Sequence, residues 1–150
     1  MGQTKASRRV STAPLQNKGA GIAVVRGTQV LLIRRHDNGL WDIPGGAVEV
    51  GESVGDAARR ELKEETGLEA PDVTLLDVFS GSAHRHTYPD GNVVDWVTAV
   101  YLARDFTGTL TPGDDAAEAR WWPLAGLPTD VSSATAAYFA ALRARPGATP

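Results

Sequence analysis

The sequence predicts an α/β protein in which helices pack on a mixed β-sheet, and three observations carry that prediction. Apolar runs rich in Val, Ile and Leu alternate with helical patterns in the order β-β-α-β-β-β-α. Both helical patterns carry their own start and stop residues. The chain is 150 residues long, the size of one domain able to bury a single sizeable core.

Taken in order, residues 1–18 hold Lys5, Arg8, Arg9 and Lys18, no acid and few large apolar groups, the composition of a flexible basic tail. GIAVV and QVLLIRR follow as β-rich runs separated by Arg26-Gly27-Thr28, which reads as a hairpin. Pro44, Gly45 and Gly46 then force a turn in GLWDIPGG. Ser53 opens a helix, with Asp56 at the capping-box spacing, and Gly67 is placed to end it in a left-handed cap. VTLLDVFSGSA reads as a strand, and VVDWVTAVYLARDF, after the turn Pro89-Asp90-Gly91-Asn92, pairs with it as a hairpin. In that second run Val94, Trp96, Val100 and Leu102 line one face, with Thr98 the exception. ARWWPL is a short strand. Asp130 or Ser132 caps a final helix to about Arg145, where Pro146 stops it, with Ala136, Tyr138, Phe139 and Leu142 at core spacing. No internal repeat or linker divides the chain, so the expected organisation is a tail over 1–18, a domain over 19–145 and a short tail over 146–150.

Composition narrows the function classes. A net charge of -3 argues against gripping nucleic acid by its phosphates. With no cysteine there is no disulfide or thiolate metal site, so any metal is held by oxygen or imidazole. The basic start lacks the apolar core of a signal peptide, and no run approaches the roughly twenty apolar residues of a membrane span. A soluble cytoplasmic protein is the expectation.

The chemistry concentrates in GGAVEVGESVGDAARRELKEETGL, residues 45–68. Glu61, Glu64 and Glu65 crowd the last turns of its helix, where they repel one another and face the negative end of the helix dipole. With Glu61 at zero on a helical wheel, Glu65 lies about 40° to one side and Glu64 about 60° to the other. The acids thus share the side that carries Val54, Ala57 and Ala58, which amphipathic patterning turns inward, opposite a solvated face of Asp56, Arg59, Arg60 and Lys63. A partly buried row of carboxylates is costly unless cations or donors satisfy it. The glycine turn just upstream lets backbone carbonyls approach a cation closely. Carboxylate and carbonyl oxygens are the donors that Mg²⁺ prefers, and Mg²⁺ also bridges substrate phosphates. A wet, merely Glu-rich helix end is the competing reading.

At this point the sequence resembles the Nudix hydrolases. Their signature is a glycine, five residues, a glutamate, seven residues, then Arg-Glu-apolar-x-Glu-Glu-x-Gly-apolar. The chain supplies Gly46, Glu52, Arg60, Glu61, Leu62, Glu64, Glu65, Gly67 and Leu68, together with the lead-in Trp41-x-x-Pro44-Gly45-Gly46 and the later Arg120-Trp121-Trp122-Pro123-Leu124. The resemblance implies an α/β/α sandwich with the mixed sheet between helices. It also implies Mg²⁺-dependent hydrolysis of a nucleoside diphosphate linked to another group X, with Mn²⁺ a compatible ion. Glu61, Glu64, Glu65 and the Gly45 carbonyl are the implied metal ligands, and the three glutamates jointly the implied base. Arg60 and Glu52 are the implied partners that hold them in place. Asp115 occupies the place of an additional acid, one methylene shorter than the glutamate commoner there. Relatives are often dimers, so a homodimer is compatible.

Such chemistry is consistent with the donors present, because a divalent cation neutralises a diphosphate and lowers the pKa of a water. Elsewhere, Arg34 and Arg35 end a strand on opposite faces, and one of them suits a phosphate clamp. His84, Arg85 and His86 read as a solvated loop, with a histidine metal pair the rival reading. Tyr88 is the preferred stacking residue among Phe79, Trp41, Trp96 and itself, while Trp121 and Trp122 read as packing. Extensions of the NADH-, coenzyme A- and ADP-ribose-cleaving members are not found, His84 standing where the last carry proline, and Tyr88 lies just beyond the diadenosine window. By elimination the expected substrate is a small nucleoside triphosphate, oxidised ones included, or a nucleotide sugar. A non-catalytic nucleotide sensor or scaffold is the alternative, disfavoured because no signature glutamate is lost. An isomerase on the same fold is disfavoured because it needs a cysteine.

Overall fold

In the computed structural model, residues 15–145 are described. Among them the order is β1 (Leu15–Arg26), β2 (Gln29–Arg35), β3 (Trp41–Asp42), β4 (Gly45–Ala47), α1 (Val54–Thr66), β5 (Thr74–Phe79), β6 (Arg85–Thr87), β7 (Val93–Ala103), β8 (Ala116–Pro123) and α2 (Ser133–Ala144). Strand β1 organises the rest. It runs parallel to β7 from Leu15 opposite Val94 to Val24 opposite Ala103. β4 pairs antiparallel with its middle, Gly21 opposite Gly45. Its last residues turn through Gly27 (φ 60°) into β2, which carries β8 and β3 on its two edges. β5 and β6 complete the other side of β7.

The expected sandwich follows from alternation along β1, buried from Gly19 to Val25. Ala20, Ile22 and Val24 meet Ala57, Ala58 and Leu62 of α1. Ala23 and Val25 meet the other layer, where α2 contributes Tyr138, Phe139 and Leu142. The sheet therefore lies between the two helices, as the resemblance implied.

Three boundaries depart from the sequence reading. Residues 15–18, expected in the tail, are strand, because β7 offers them a full parallel edge. Residues 1–14 and 146–150, the remainder of the expected tails, lie outside the described residues. The long strand expected from Val73 ends at Phe79, since Gly81 (φ 103°) breaks it before a 3₁₀ turn at Ser82–His84 and the short β6. On α2, Ala136 is exposed and Thr135, only 1% exposed, takes the inward place; the inward stripe is 135, 138, 139 and 142.

Both expected caps of α1 form. Ser53 Oγ accepts from the Asp56 N–H at 3.1 Å, and Gly67 adopts φ 78°. A loop then closes over the C-terminal carbonyls: the Thr111 and Gly113 N–H groups donate to Thr66 O and Glu65 O at 2.7 and 2.9 Å. A Cβ at Gly113 would run into the Glu64 carbonyl and stand 3.2 Å from Glu65 Cα. Gly113→Ala is therefore expected to lift this loop and cost about 1–3 kcal/mol by urea unfolding. A wild-type midpoint would show that the loop does not cap the helix.

Candidate active site

The glycine turn and the C-terminal half of α1 meet edge to edge. β4 is held against β1 so closely that a Cβ at Gly45 would lie 2.6 Å from Ala20 O. The Gly45 N–H points back to the helix and donates to Glu65 Oε1 at 2.9 Å. Gly46 faces Glu61, where any Cβ would overlap the carboxylate and stand 2.7 Å from its Cδ. Bare backbone at two successive residues is what lets both acids reach the turn.

The three signature glutamates are not equivalent. Glu65 is 6% exposed, Glu61 has 14% of its side chain exposed, and Glu64 has 57%. The buried arc of the helix runs through Ala58, Leu62, Glu65 and Thr66, so Glu65 lies inside it, Glu61 at its margin and Glu64 outside. Val54, expected inward, is exposed. Burial pushes the Glu65 carboxyl up to about 8, opposed by the Gly45 N–H and reinforced by Glu61. Burial also raises Glu61, against the attraction of Arg60 and with the repulsion of Glu64 and Asp115.

Arg60 does not belong to the solvated face where the wheel put it. Its side chain folds back over the acids. Nε and Nη2 grip Glu52 as a fork at 2.7 and 3.0 Å, and Nη2 also donates to Ala47 O at 3.1 Å. Nη1 reaches Glu61 Oε2 at 3.2 Å and Glu64 Oε1 at 3.3 Å. One guanidinium ties the turn, the loop before the helix and two acids together. It holds Glu52 well below the usual carboxylate range.

A cleft of about 410 Å³ opens from Gly45, Gly46 and Ala47. Arg35 lines it, its Nε 3.1 Å from Asp37, whereas exposed Arg34 is not among the lining residues. Tyr88 lines it as well, edge-on to His86 with ring centroids 4.3 Å apart. Asp115 is exposed, anchored by its carbonyl to the His36 N–H at 3.2 Å, with its charge felt at Glu61. His84, expected in a solvated loop, is instead 6% exposed and stacked on Tyr138 with centroids 5.9 Å apart. Its wall is fixed by Ser133 Oγ donating to Ala83 O at 2.6 Å. Arg85 pairs with Asp95 at 2.7 Å, and among the described residues no three His, Asp or Glu side chains cluster as a metal site.

The sequence reading missed Asp42, which lines the cleft between Trp41 and Ile43. Its Oδ1 accepts from Thr135 Oγ1 at 2.9 Å and from the Ile43 N–H at 2.8 Å. Burial raises its carboxyl, with Thr135 and Arg35 opposing. An acid flanked by two buried apolar residues on a short strand was the available signal.

The donor set suits a hard divalent cation. Glu61 and Glu65 are carboxylates whose burial resists ionisation, and the N–H and guanidinium beside them compensate only part of that cost. Among the described residues no three acidic or histidine side chains converge into a closed cage.

The family model of the NUDIX domain matches residues 15–142. An ADP-ribose pyrophosphatase of Methanocaldococcus jannaschii is 41% identical over 108 residues, covering 70% of this chain and 60% of that protein. The 8-oxo-dGDP phosphatase NUDT18 of Mus musculus is 37% identical over 108 residues, covering 67% of this chain and 30% of that protein. The chain thus spans less than two thirds of the length of either relative. Among solved structures, a MutT NUDIX hydrolase from Burkholderia pseudomallei superimposes with a TM-score of 0.73 at 33% identity, covering 85% of this chain and 98% of that one. The NUDIX domain of Shewanella oneidensis NrtR, crystallised with ADP ribose, shares the fold at a TM-score of 0.69 and 22% identity, covering 89% and 88%. Together with the glycine turn, the arginine fork and the unequal glutamates, the match over residues 15–142 establishes that the chain belongs to the Nudix hydrolase family.

Proposed function

We propose that the chain is a Mg²⁺-dependent pyrophosphohydrolase, cleaving a nucleoside diphosphate linked to a group X into a nucleoside monophosphate and phosphorylated X. The observation that carries this reading is the pair of buried Glu65 and half-buried Glu61, set against the glycine turn that lines the cleft. A bound divalent cation would neutralise the diphosphate and make water a better nucleophile there. Glu61, Glu64 and Glu65, with the Gly45 carbonyl, would hold it, and Mn²⁺ would substitute. Asp115 would add a fourth acid from the facing loop. A carboxylate of this group takes the proton as water attacks phosphorus. Arg60 and Glu52 keep Glu61 in place, and Arg35 lies on the phosphate path along the cleft wall. A nucleoside triphosphate, oxidised ones included, or a nucleotide sugar is the substrate class of this reading. A cytoplasmic enzyme, free or homodimeric and without stable nucleic-acid binding, belongs to the same reading. Among the described residues no helix is long and apolar enough to cross a membrane.

Glu65→Gln is expected to lower Mg²⁺-dependent nucleotide turnover by two or more orders of magnitude with an unchanged fold. Turnover like wild type in that variant would sink the metal-site assignment. Arg35→Ala should raise KM by about tenfold or more, while Arg34→Ala should leave it within about twofold, consistent with the loss of one charged hydrogen bond. Equal effects would remove Arg35 from the phosphate path.

The metal-free protein should also carry the signature of its buried acid. Glu65 titrates from the ordinary 4.5 to about 8 on folding, so between these values the native state holds the extra proton. Stability is therefore full below about pH 4.5 and falls as pH rises towards 8, by an amount on the order of a few kcal/mol. Glu65→Gln should flatten most of that slope in chelator, and millimolar Mg²⁺ should raise the wild-type Tm at pH 8. A slope unchanged by the substitution would show Glu65 to be solvated.

A further inference from the structure

The glycine turn has no side chains at Gly45 and Gly46 with which to hold itself. Two of its holds come from α1: Glu65 accepts from the Gly45 N–H, and Arg60 Nη2 donates to Ala47 O. Upstream, the turn continues from Trp41–Pro44, and that segment is held from the opposite layer. The Trp41 N–H donates to Asp130 O at 3.1 Å, and Trp41 is bridged in parallel to Val131. One residue on, Asp42 Oδ1 accepts from Thr135 Oγ1 at 2.9 Å and from the Ile43 N–H at 2.8 Å. The residues that lead into α2 and form its first turn thus cover the open edge of β3.

Thr135 is 1% exposed, and its methyl group serves the apolar stripe of α2. Valine has the same branched shape, so packing alone does not call for the hydroxyl. That hydroxyl is directed. It has one proton, which goes to Asp42 Oδ1, so it receives another from Ser132 Oγ, 3.1 Å away. Ser132 Oγ in turn accepts from the Thr135 N–H at 3.2 Å, as the cap of α2. A chain of hydroxyls therefore runs from the helix cap to the strand that enters the glycine turn.

We infer that Thr135 is a positioning residue for the reaction, acting through Asp42 to fix the Trp41–Pro44 lead-in and so the place where Gly45 and Gly46 meet Glu65 and Glu61. The inference rests on the proposed reaction and adds to it a residue of α2, ninety-three positions from Asp42. The fit it protects has no slack, because a Cβ at Gly46 would already stand 2.7 Å from Glu61 Cδ. Misplacement by about 1 Å at a reaction centre costs on the order of 10²-fold in rate.

The test compares Thr135→Val, Thr135→Ser and Asp42→Ala in the full chain. In chelator, amide hydrogen exchange reads the turn without any turnover. The Gly45 amide should exchange about tenfold or more faster in Thr135→Val and in Asp42→Ala, and near the wild-type rate in Thr135→Ser, while amides paired between β1 and β7 keep their rates. With Mg²⁺, hydrolysis of the nucleoside triphosphate that wild type turns over fastest should lose about tenfold or more in kcat in the first two variants, with KM within about threefold. Thr135→Ser, which keeps the hydroxyl, should recover most of that loss. The double variant Thr135→Val/Asp42→Ala should be no worse than the worse single one, since both remove the same bond. Faster exchange confined to α2, with Gly45 at its wild-type rate, would make Thr135 a fastener of its own helix and overturn the inference. Additive losses in the double variant, or a loss carried by KM alone, would overturn it too. A wild type that hydrolyses no nucleotide would instead overturn the proposed reaction, and the exchange of Gly45 would still decide whether Thr135 sets the turn.

Discussion

The contact between Glu65 and the Gly45 N–H is the constraint around which the site is built. It joins the last turn of α1 to the strand β4, twenty residues earlier in the chain, at 2.9 Å. Burying a carboxylate there opposes ionisation and the helix dipole opposes negative charge, so the arrangement is unfavourable on both counts. Yet the fold invests in it. The loop over Thr107–Asp115 satisfies the carbonyls of Glu65 and Thr66, and Gly113 has no side chain because one would strike the helix backbone. Local geometry has been specialised to keep an acid where it costs most, which is how strain is retained at functional sites.

Repulsion among the acids is managed by Arg60 rather than by distance. Its fork on Glu52 fixes the guanidinium, and the remaining nitrogen is then free to serve Glu61 and Glu64. The arrangement also closes the loop from Ala47 to Glu52 onto the helix. Glu64, outermost and mostly exposed, needs least help. Burial is graded across the three glutamates, and it raises the carboxyls of the inner two, Glu61 and Glu65, within little more than one helical turn.

Much of this was legible in the residues themselves. Periodicity, caps and glycine turns were sufficient for both helices, because Ser53, Gly67 and Ser132 act through their immediate neighbours. The acids and their spacing were legible for the same reason. Harder to read were contacts between distant segments. Arg60 sits on the polar side of any wheel, and only the approach of Glu52 and Ala47 across the turn draws it over the acids. His84 was assigned to solvent from its polar neighbours, whereas Ser133, forty-nine residues later, pins its 3₁₀ turn against Tyr138. Thr135 replaced Ala136 in the core stripe because its hydroxyl has a partner, Asp42, that no local pattern could supply.

That last pair links the two halves of the molecule. Asp42 follows Trp41 on the short strand leading to the glycine turn, and Thr135 stands in the first turn of α2, on the opposite layer from α1. The signature acids and Asp42 are therefore positioned by different helices, joined through the segment Trp41–Ala47. Asp42 orients within that segment from the α2 side, while Gly45 and Gly46 receive Glu65 and Glu61 from the α1 side. Such a division separates the signature acids, set by α1, from the cleft wall at Asp42 and His84, which α2 braces.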